Sequence, residues 1–131
     1  MRLHHVGIAV ADLEAARARW ARLGYRLEAE GAVPAQGVRV AMLAAPGGGA
    51  RIELLAPTGP DTPVGRFLAR RGEGLHHLAF AVPDVAKALA ELESAGARLV
   101  DRAPRPGFGG HLVAFVHPSA FGGVLVELVE A

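Results

Sequence analysis

Residues 3–13 read LHHVGIAVADL, and residues 75–85 read LHHLAFAVPDV. The two stretches are offset by 72 positions, and the same offset persists downstream as far as Pro46 and Pro118. Matches that stay in register over ~60 positions indicate an internal duplication rather than chance. The repeat therefore decides how the rest of the chain is interpreted.

Past a glycine-rich loop the offset becomes 74, where Ile52-Glu53-Leu54 matches Val126-Glu127-Leu128. A two-residue change of length inside such a loop is easily tolerated at a surface hairpin. We interpret the chain as one domain, 1–131, made of two copies at roughly 1–57 and 73–131 with a linker at 58–72.

Each copy has the pattern of a β-α-β-β-β unit. Residues 3–10 alternate with period two, which predicts a half-buried strand, and Asp12 and Asp84 stand where helix N-caps belong. The sequence predicts an α+β fold class, with two tandem βαβββ modules forming a curved mixed sheet around a metal-binding cleft. Helices are expected at 13–23, 85–95 and, in the linker, 63–70; strands are expected at 25–30, 38–43, 51–55, 98–102, 112–116 and 124–129.

The composition excludes several classes of function. Fourteen basic and 13 acidic residues give a net charge of +1, so no nucleic-acid or membrane partner is expected. No apolar run reaches the ~18 residues of a membrane helix, and the first residues enter a strand pattern rather than a signal peptide, which favours a cytoplasmic location. Because the chain has no cysteine, a metal would need His, carboxylate or carbonyl ligands.

One His and one Glu recur on the same kind of strand face in both copies. His5 and His77 share their faces with small residues, while Glu53 and Glu127 interrupt apolar last strands. A carboxylate in such a strand is unfavourable unless something neutralises it. If the copies pack about a pseudo-twofold axis, the four side chains converge on a divalent ion such as Co²⁺, Mn²⁺, Ni²⁺, Fe²⁺ or Zn²⁺. The alternative is hydrogen-bonded histidines and solvent-facing glutamates.

The other histidines carry weaker signals. His4 and His76 repeat but point to the opposite face, where a structural role is expected. His111 and His117 have no counterpart in the first copy, and a surface position is favoured over a substrate pocket. Residues 107–110 read GFGG without the Lys-Ser/Thr of a phosphate loop, so they are expected to form a flexible loop.

The chain resembles the vicinal oxygen chelate superfamily, which is built from paired βαβββ modules, and over its whole length it resembles the methylmalonyl-CoA epimerase family. The matching segments are HHVGIAV at 4–10, ELLAP at 53–57, GLHH at 74–77, HP at 117–118 and GGVLVEL at 122–128. The resemblance implies that His5, Glu53, His77 and Glu127 hold a divalent metal (Co²⁺, Mn²⁺, Ni²⁺ or Zn²⁺). It also implies that Glu127 is a catalytic proton-transfer group, the substrate a small-molecule acyl-CoA, and the chain a homodimer.

Two features depart from the family pattern. Some relatives carry a second acidic residue in the stretch that corresponds to 35–40, where this chain has none, and Ser119 stands where relatives often have Lys. The runner-up function is a glyoxalase I-type lactoylglutathione lyase, which uses a similar His/Glu site. A metal-free binding protein of the same superfamily is a further alternative, and an extradiol dioxygenase is disfavoured because it needs only three protein ligands.

Overall fold

The computed structural model describes every residue from Met1 to Ala131. Its eight strands and three α-helices confirm the predicted α+β class with two βαβββ copies. The elements are β1 Arg2–Ala9, α1 Leu13–Ala21, β2 Arg26–Val33, β3 Val38–Ala44, β4 Arg51–Pro57, α2 Pro63–Arg71, β5 Gly74–Val82, α3 Val85–Ser94, β6 Arg105–Pro106, β7 Leu112–Val116 and β8 Val126–Glu130. Four of the strands, β1 to β4, belong to the first copy, and the other four, β5 to β8, belong to the second. No helix is both long and apolar enough to cross a membrane.

The contacts divide the chain into two compact units. The first unit is His5–His76, and the second unit combines Met1–His4 with His77–Ala131. In the first unit the strand order is β2-β3-β4-β1, with β1 parallel to β4 and the other neighbours antiparallel. In the second unit the order is β5-β8-β7-β6, with β5 parallel to β8. Whether residues 1–131 behave as a single domain stays a prediction.

The helices begin where the sequence predicts. The Asp12 carboxylate accepts a hydrogen bond from the Ala15 N–H at 3.1 Å, and Asp84 accepts one from the Lys87 N–H at 3.0 Å. Thr62 caps α2 in the same way. These side chains satisfy amide groups that the first helical turn leaves without partners. Each of α1 and α3 then covers one apolar face of its own unit's strands.

The strand expected at 98–102 is wrong. Only Leu99 forms a bridge there, to Val116, and the regular strand β6 is two residues long and begins at Arg105. The N–H groups of Val100 and Asp101 both donate to the Phe115 carbonyl. Because the Asp101 side chain also accepts the Phe115 N–H, the ladder cannot continue through this stretch.

The strand registers also correct the predicted position of the length change. Met42 pairs with Glu53, and Phe115 occupies the equivalent place opposite Glu127, so β3 and β7 are offset by 73 rather than 72. Compared with the first copy, the second copy therefore has one additional residue before β7 and another between β7 and β8.

Candidate functional site

The first predicted pair lies on neighbouring parallel strands of the first unit. His5 is on β1 and Glu53 on β4, and the strand alternation turns both side chains to the same face. His5 Nε2 lies 3.4 Å from Glu53 Oε1, and the residues are 3% and 6% exposed. A carboxylate and an imidazole are thus held side by side away from water.

The second pair repeats this arrangement in the second unit. His77 on β5 and Glu127 on β8 also belong to neighbouring parallel strands. His77 Nε2 lies 3.2 Å from Glu127 Oε1, and the residues are 4% and 6% exposed. The alternative in which the glutamates face solvent is therefore wrong.

These four side chains are the buried polar or charged residues of the chain. Around the second pair, the same face carries an apolar cluster of Ala79, Val113 and Val129. Burying two ionisable carboxylates in such surroundings is unfavourable without compensating positive charge. The two buried His/Glu pairs could hold a cation.

The donor set fits a divalent ion. Each pair offers one imidazole nitrogen and one carboxylate oxygen as ligand atoms, from His5 and Glu53 in the first unit and from His77 and Glu127 in the second. Metal–ligand bonds of about 2.1 Å separate adjacent octahedral ligands by about 3.0 Å and opposite ones by about 4.2 Å. The His–Glu separations within each pair are close to the value for adjacent ligands.

The remaining candidates lie elsewhere. The His76 ring packs edge-on against Phe67, with centroids 4.9 Å apart, in keeping with a structural role. His117 caps the 3₁₀ turn Pro118–Phe121, because its Nδ1 accepts the Ser119 N–H at 3.1 Å. His111 is exposed at the surface, as expected.

Residues 35–40 have no carboxylate side chain, although some relatives have one in this stretch. It comprises the end of the 3₁₀ turn Pro34–Gln36, then Gly37, and the start of β3. The loop at 107–110 likewise contains a 3₁₀ turn, Phe108–Gly110.

Two neighbours of the glutamates were missed from the sequence. Met42 is directly opposite Glu53, and Phe115 is directly opposite Glu127, so both side chains share the face of the candidate metal ligands. The offset of 72 read from the prolines would have equated Phe115 with Leu43 instead. Only the strand registers reveal the correct equivalence.

Residues 4–115 match the model of the glyoxalase/bleomycin resistance protein/dioxygenase superfamily. Among curated proteins, the chain is similar to the ethylmalonyl-CoA/methylmalonyl-CoA epimerase of Cereibacter sphaeroides, with 42% identity over 98% of this chain and 97% of the relative.

Two solved structures resemble the chain closely. Methylmalonyl-CoA epimerase from Mycobacterium tuberculosis superposes with a TM-score of 0.94 at 43% identity, covering 98% of this chain and 87% of that one. A variant of the Streptomyces coelicolor methylmalonyl-CoA epimerase, in complex with 2-nitronate-propionyl-CoA, superposes with a TM-score of 0.93 at 39% identity, covering 100% of this chain and 94% of the other.

Proposed function

We propose that this chain, which belongs to the methylmalonyl-CoA epimerase family of the glyoxalase/bleomycin resistance/dioxygenase superfamily, interconverts (2R)- and (2S)-methylmalonyl-CoA with the help of a divalent metal ion. The observation that carries the proposal is the presence of two buried His/Glu pairs, His5 with Glu53 and His77 with Glu127. Relatives named as epimerases, at about 40% identity over nearly the whole chain, support the same activity.

The proposed metal ligands are His5, Glu53, His77 and Glu127. Two neutral imidazoles and two carboxylates form an uncharged complex with a divalent ion, which removes the penalty of burying the carboxylates. Nitrogen and oxygen donors without thiolate are compatible with Co²⁺, Mn²⁺, Ni²⁺ or Zn²⁺. An ion held by these four side chains would still be able to bind oxygen atoms of the substrate.

The reaction is a proton shift at C2, the carbon between the thioester and the carboxylate. A metal ion bound at the site would supply Lewis-acid stabilisation of the negative charge that develops when this proton leaves. The protein must hold the thioester and carboxylate oxygens in one plane, so that the C–H bond points toward a proton acceptor. It must also exclude water, and the burial of all four ligands supports that role.

Glu127 is the proposed proton-transfer group. Its carboxylate has two oxygens, so one can bind the metal while the other accepts or returns the C2 proton on one face. The proton transfer on the opposite face has no carboxylate at 35–40 to perform it. A different group must therefore act there in this chain.

The proposal includes three finer points. The substrate is an acyl-CoA with a 2-alkylmalonyl group, and ethylmalonyl-CoA is included because the C. sphaeroides relative is named for both substrates. A homodimeric state and a cytoplasmic location remain predictions. Sedimentation velocity at micromolar concentration tests the dimer, and a single species of 13.6 kDa would contradict it.

The deciding experiment measures hydrogen exchange at C2. In deuterium oxide, the purified chain should incorporate deuterium at C2 of methylmalonyl-CoA, and chelation of the metal should abolish this exchange. Elemental analysis should find one divalent ion per chain. No exchange above background would contradict the epimerase function, and conversion of the methylglyoxal–glutathione hemithioacetal would favour the lyase instead.

A further inference from the structure

The two units differ in the residue that lies opposite the glutamate of the His/Glu pair. Phe115 faces Glu127 across the β7–β8 ladder, whereas the first unit has the flexible Met42 opposite Glu53. The Phe115 ring meets the His77 imidazole edge-on, with centroids 5.6 Å apart and planes at 86°. Edge-to-face contact is a preferred geometry between aromatic rings, and it limits rotation of both.

The backbone of Phe115 is held by an irregular segment instead of a regular strand. The Phe115 N–H donates to Asp101 Oδ2 at 2.8 Å. The Phe115 carbonyl accepts from the N–H groups of Val100 and Asp101, each at 3.1 Å. Three hydrogen bonds therefore fix this residue from the side opposite β8.

Arg105 holds the side chain of the same residue. Its guanidinium carbon lies 5.7 Å from the centroid of the Phe115 ring, within the range of a cation–π contact. Its buried Nε lies 3.3 Å from Asp101 Oδ1. One carboxylate thus contacts both the backbone amide of Phe115 and the cation over its ring.

We propose that Asp101 and Arg105 are positioning residues that fix the Phe115 ring and, through it, the plane of the His77 imidazole. The inference rests on the proposed metal function, because a fixed imidazole plane matters when Nε2 must point at an ion. Groups that orient a ligating histidine typically change metal affinity by about 10–100-fold. On this proposal, the irregular backbone at 98–102 is what allows Asp101 and Arg105 to hold Phe115.

The test compares Arg105→Gln with Arg105→Lys and Asp101→Asn. Arg105→Gln removes the cation over the ring and should weaken metal binding by about 10-fold. Arg105→Lys retains a cation that can lie over Phe115 and should stay closer to the wild type. Asp101→Asn keeps an oxygen acceptor for the Phe115 N–H but removes the charge that holds Arg105. The matched control is Arg102→Gln, because Arg102 is exposed and close in sequence.

Two readouts separate positioning from general damage. The first is the dissociation constant of Co²⁺, measured by competition with a chromophoric chelator, together with the visible spectrum of the Co²⁺-loaded protein. The second is the imidazole ¹⁵N resonances of His77 in the metal-free protein, assigned with a His77→Ala variant. The proposal expects Arg105→Gln to shift the His77 resonances and leave those of His5 in place. Thermal unfolding verifies that each variant is folded.

The outcomes distinguish this inference from the proposed function. If the wild type binds no divalent ion, the metal function fails, while the His77 resonances in the metal-free protein still decide the inference. If Arg105→Gln has wild-type Co²⁺ affinity and unchanged His77 resonances, the proposed positioning role of Asp101 and Arg105 is overturned. A raised KM with unchanged metal affinity would also overturn it, because Arg105 would then contact substrate. If Arg105→Gln does not fold, the same criteria apply to Asp101→Asn.

Discussion

At the residue scale, four side chains that are unusual for their positions could be identified from the sequence. His5, Glu53, His77 and Glu127 stand out because a period of two assigns each to a strand face and the repeat presents the pattern twice. Phe115 could not be identified in this way. Its place beside Glu127 depends on the strand register, and a single inserted residue shifts that register.

Glu127→Gln should lower the rate of C2 exchange, for the epimer whose C2 proton faces Glu127, by about 10²–10⁴-fold, because the amide cannot accept the proton and is a poorer metal ligand. Deuterium incorporation monitored by mass spectrometry measures the loss. The matched control is Glu130→Gln on the same strand. Glu130 accepts a hydrogen bond from the Val85 N–H at 3.0 Å, and a glutamine oxygen can replace that acceptor. Exchange at the wild-type rate in Glu127→Gln would exclude the assigned role.

At the element scale, helix starts could be predicted because capping is local in the sequence. Asp12, Thr62 and Asp84 each accept the N–H three residues ahead. The irregular segment after Leu99 could not be predicted, since the repeat equates residues 98–102 with residues 26–30, where a strand is expected. Contacts with a residue 14 positions away, from Asp101 to Phe115, determine its conformation.

The start of α2 contains a position where only glycine fits. A Cβ added at Gly65 would lie 2.5 Å from the Gly59 carbonyl oxygen and 2.7 Å from that of Pro60. Gly65→Ala should therefore destabilise the protein by about 1–3 kcal/mol, although alanine favours helices.

The comparison for Gly65→Ala is Gly59→Ala, which introduces the same methyl group into open space at a backbone angle that other residues adopt. That change should be neutral or stabilise by up to about 1 kcal/mol. Urea unfolding of both variants measures the difference, and equal midpoints would show that the linker turn moves to accommodate the methyl group.

At the scale of the whole molecule, the duplication made the fold class predictable. Once the two copies were aligned, one β-α-β-β-β pattern had to describe both, so each copy supported the assignment of the other. The division into compact units was not predictable. It separates Met1–His4 from the rest of β1, and this depends on contacts made far along the chain.

A ligand that binds only the folded state must stabilise the folded state. At a free metal concentration of 100 times the dissociation constant, the gain is about 2.7 kcal/mol, which corresponds to a rise in Tm of about 10 °C for a chain of this size. Calorimetry with Co²⁺, then with excess chelator, measures the change. His5→Ala should show little of this rise, whereas His111→Ala, altered at an exposed residue, should behave like the wild type. A metal-independent Tm in the wild type would contradict the proposed site.

If the four side chains bind one ion as proposed, each βαβββ copy contributes one His and one Glu, and a chain with only one copy would hold half of the ligand set. An ancestor of that kind would have needed two molecules for every ion, and its ion binding would have fallen as the protein was diluted. After fusion of two copies, one chain carries all four ligands, so ion binding no longer depends on the concentration of the protein. It also lets the copies mutate separately, so that Met42 and Phe115 could diverge while the histidines and glutamates stayed alike.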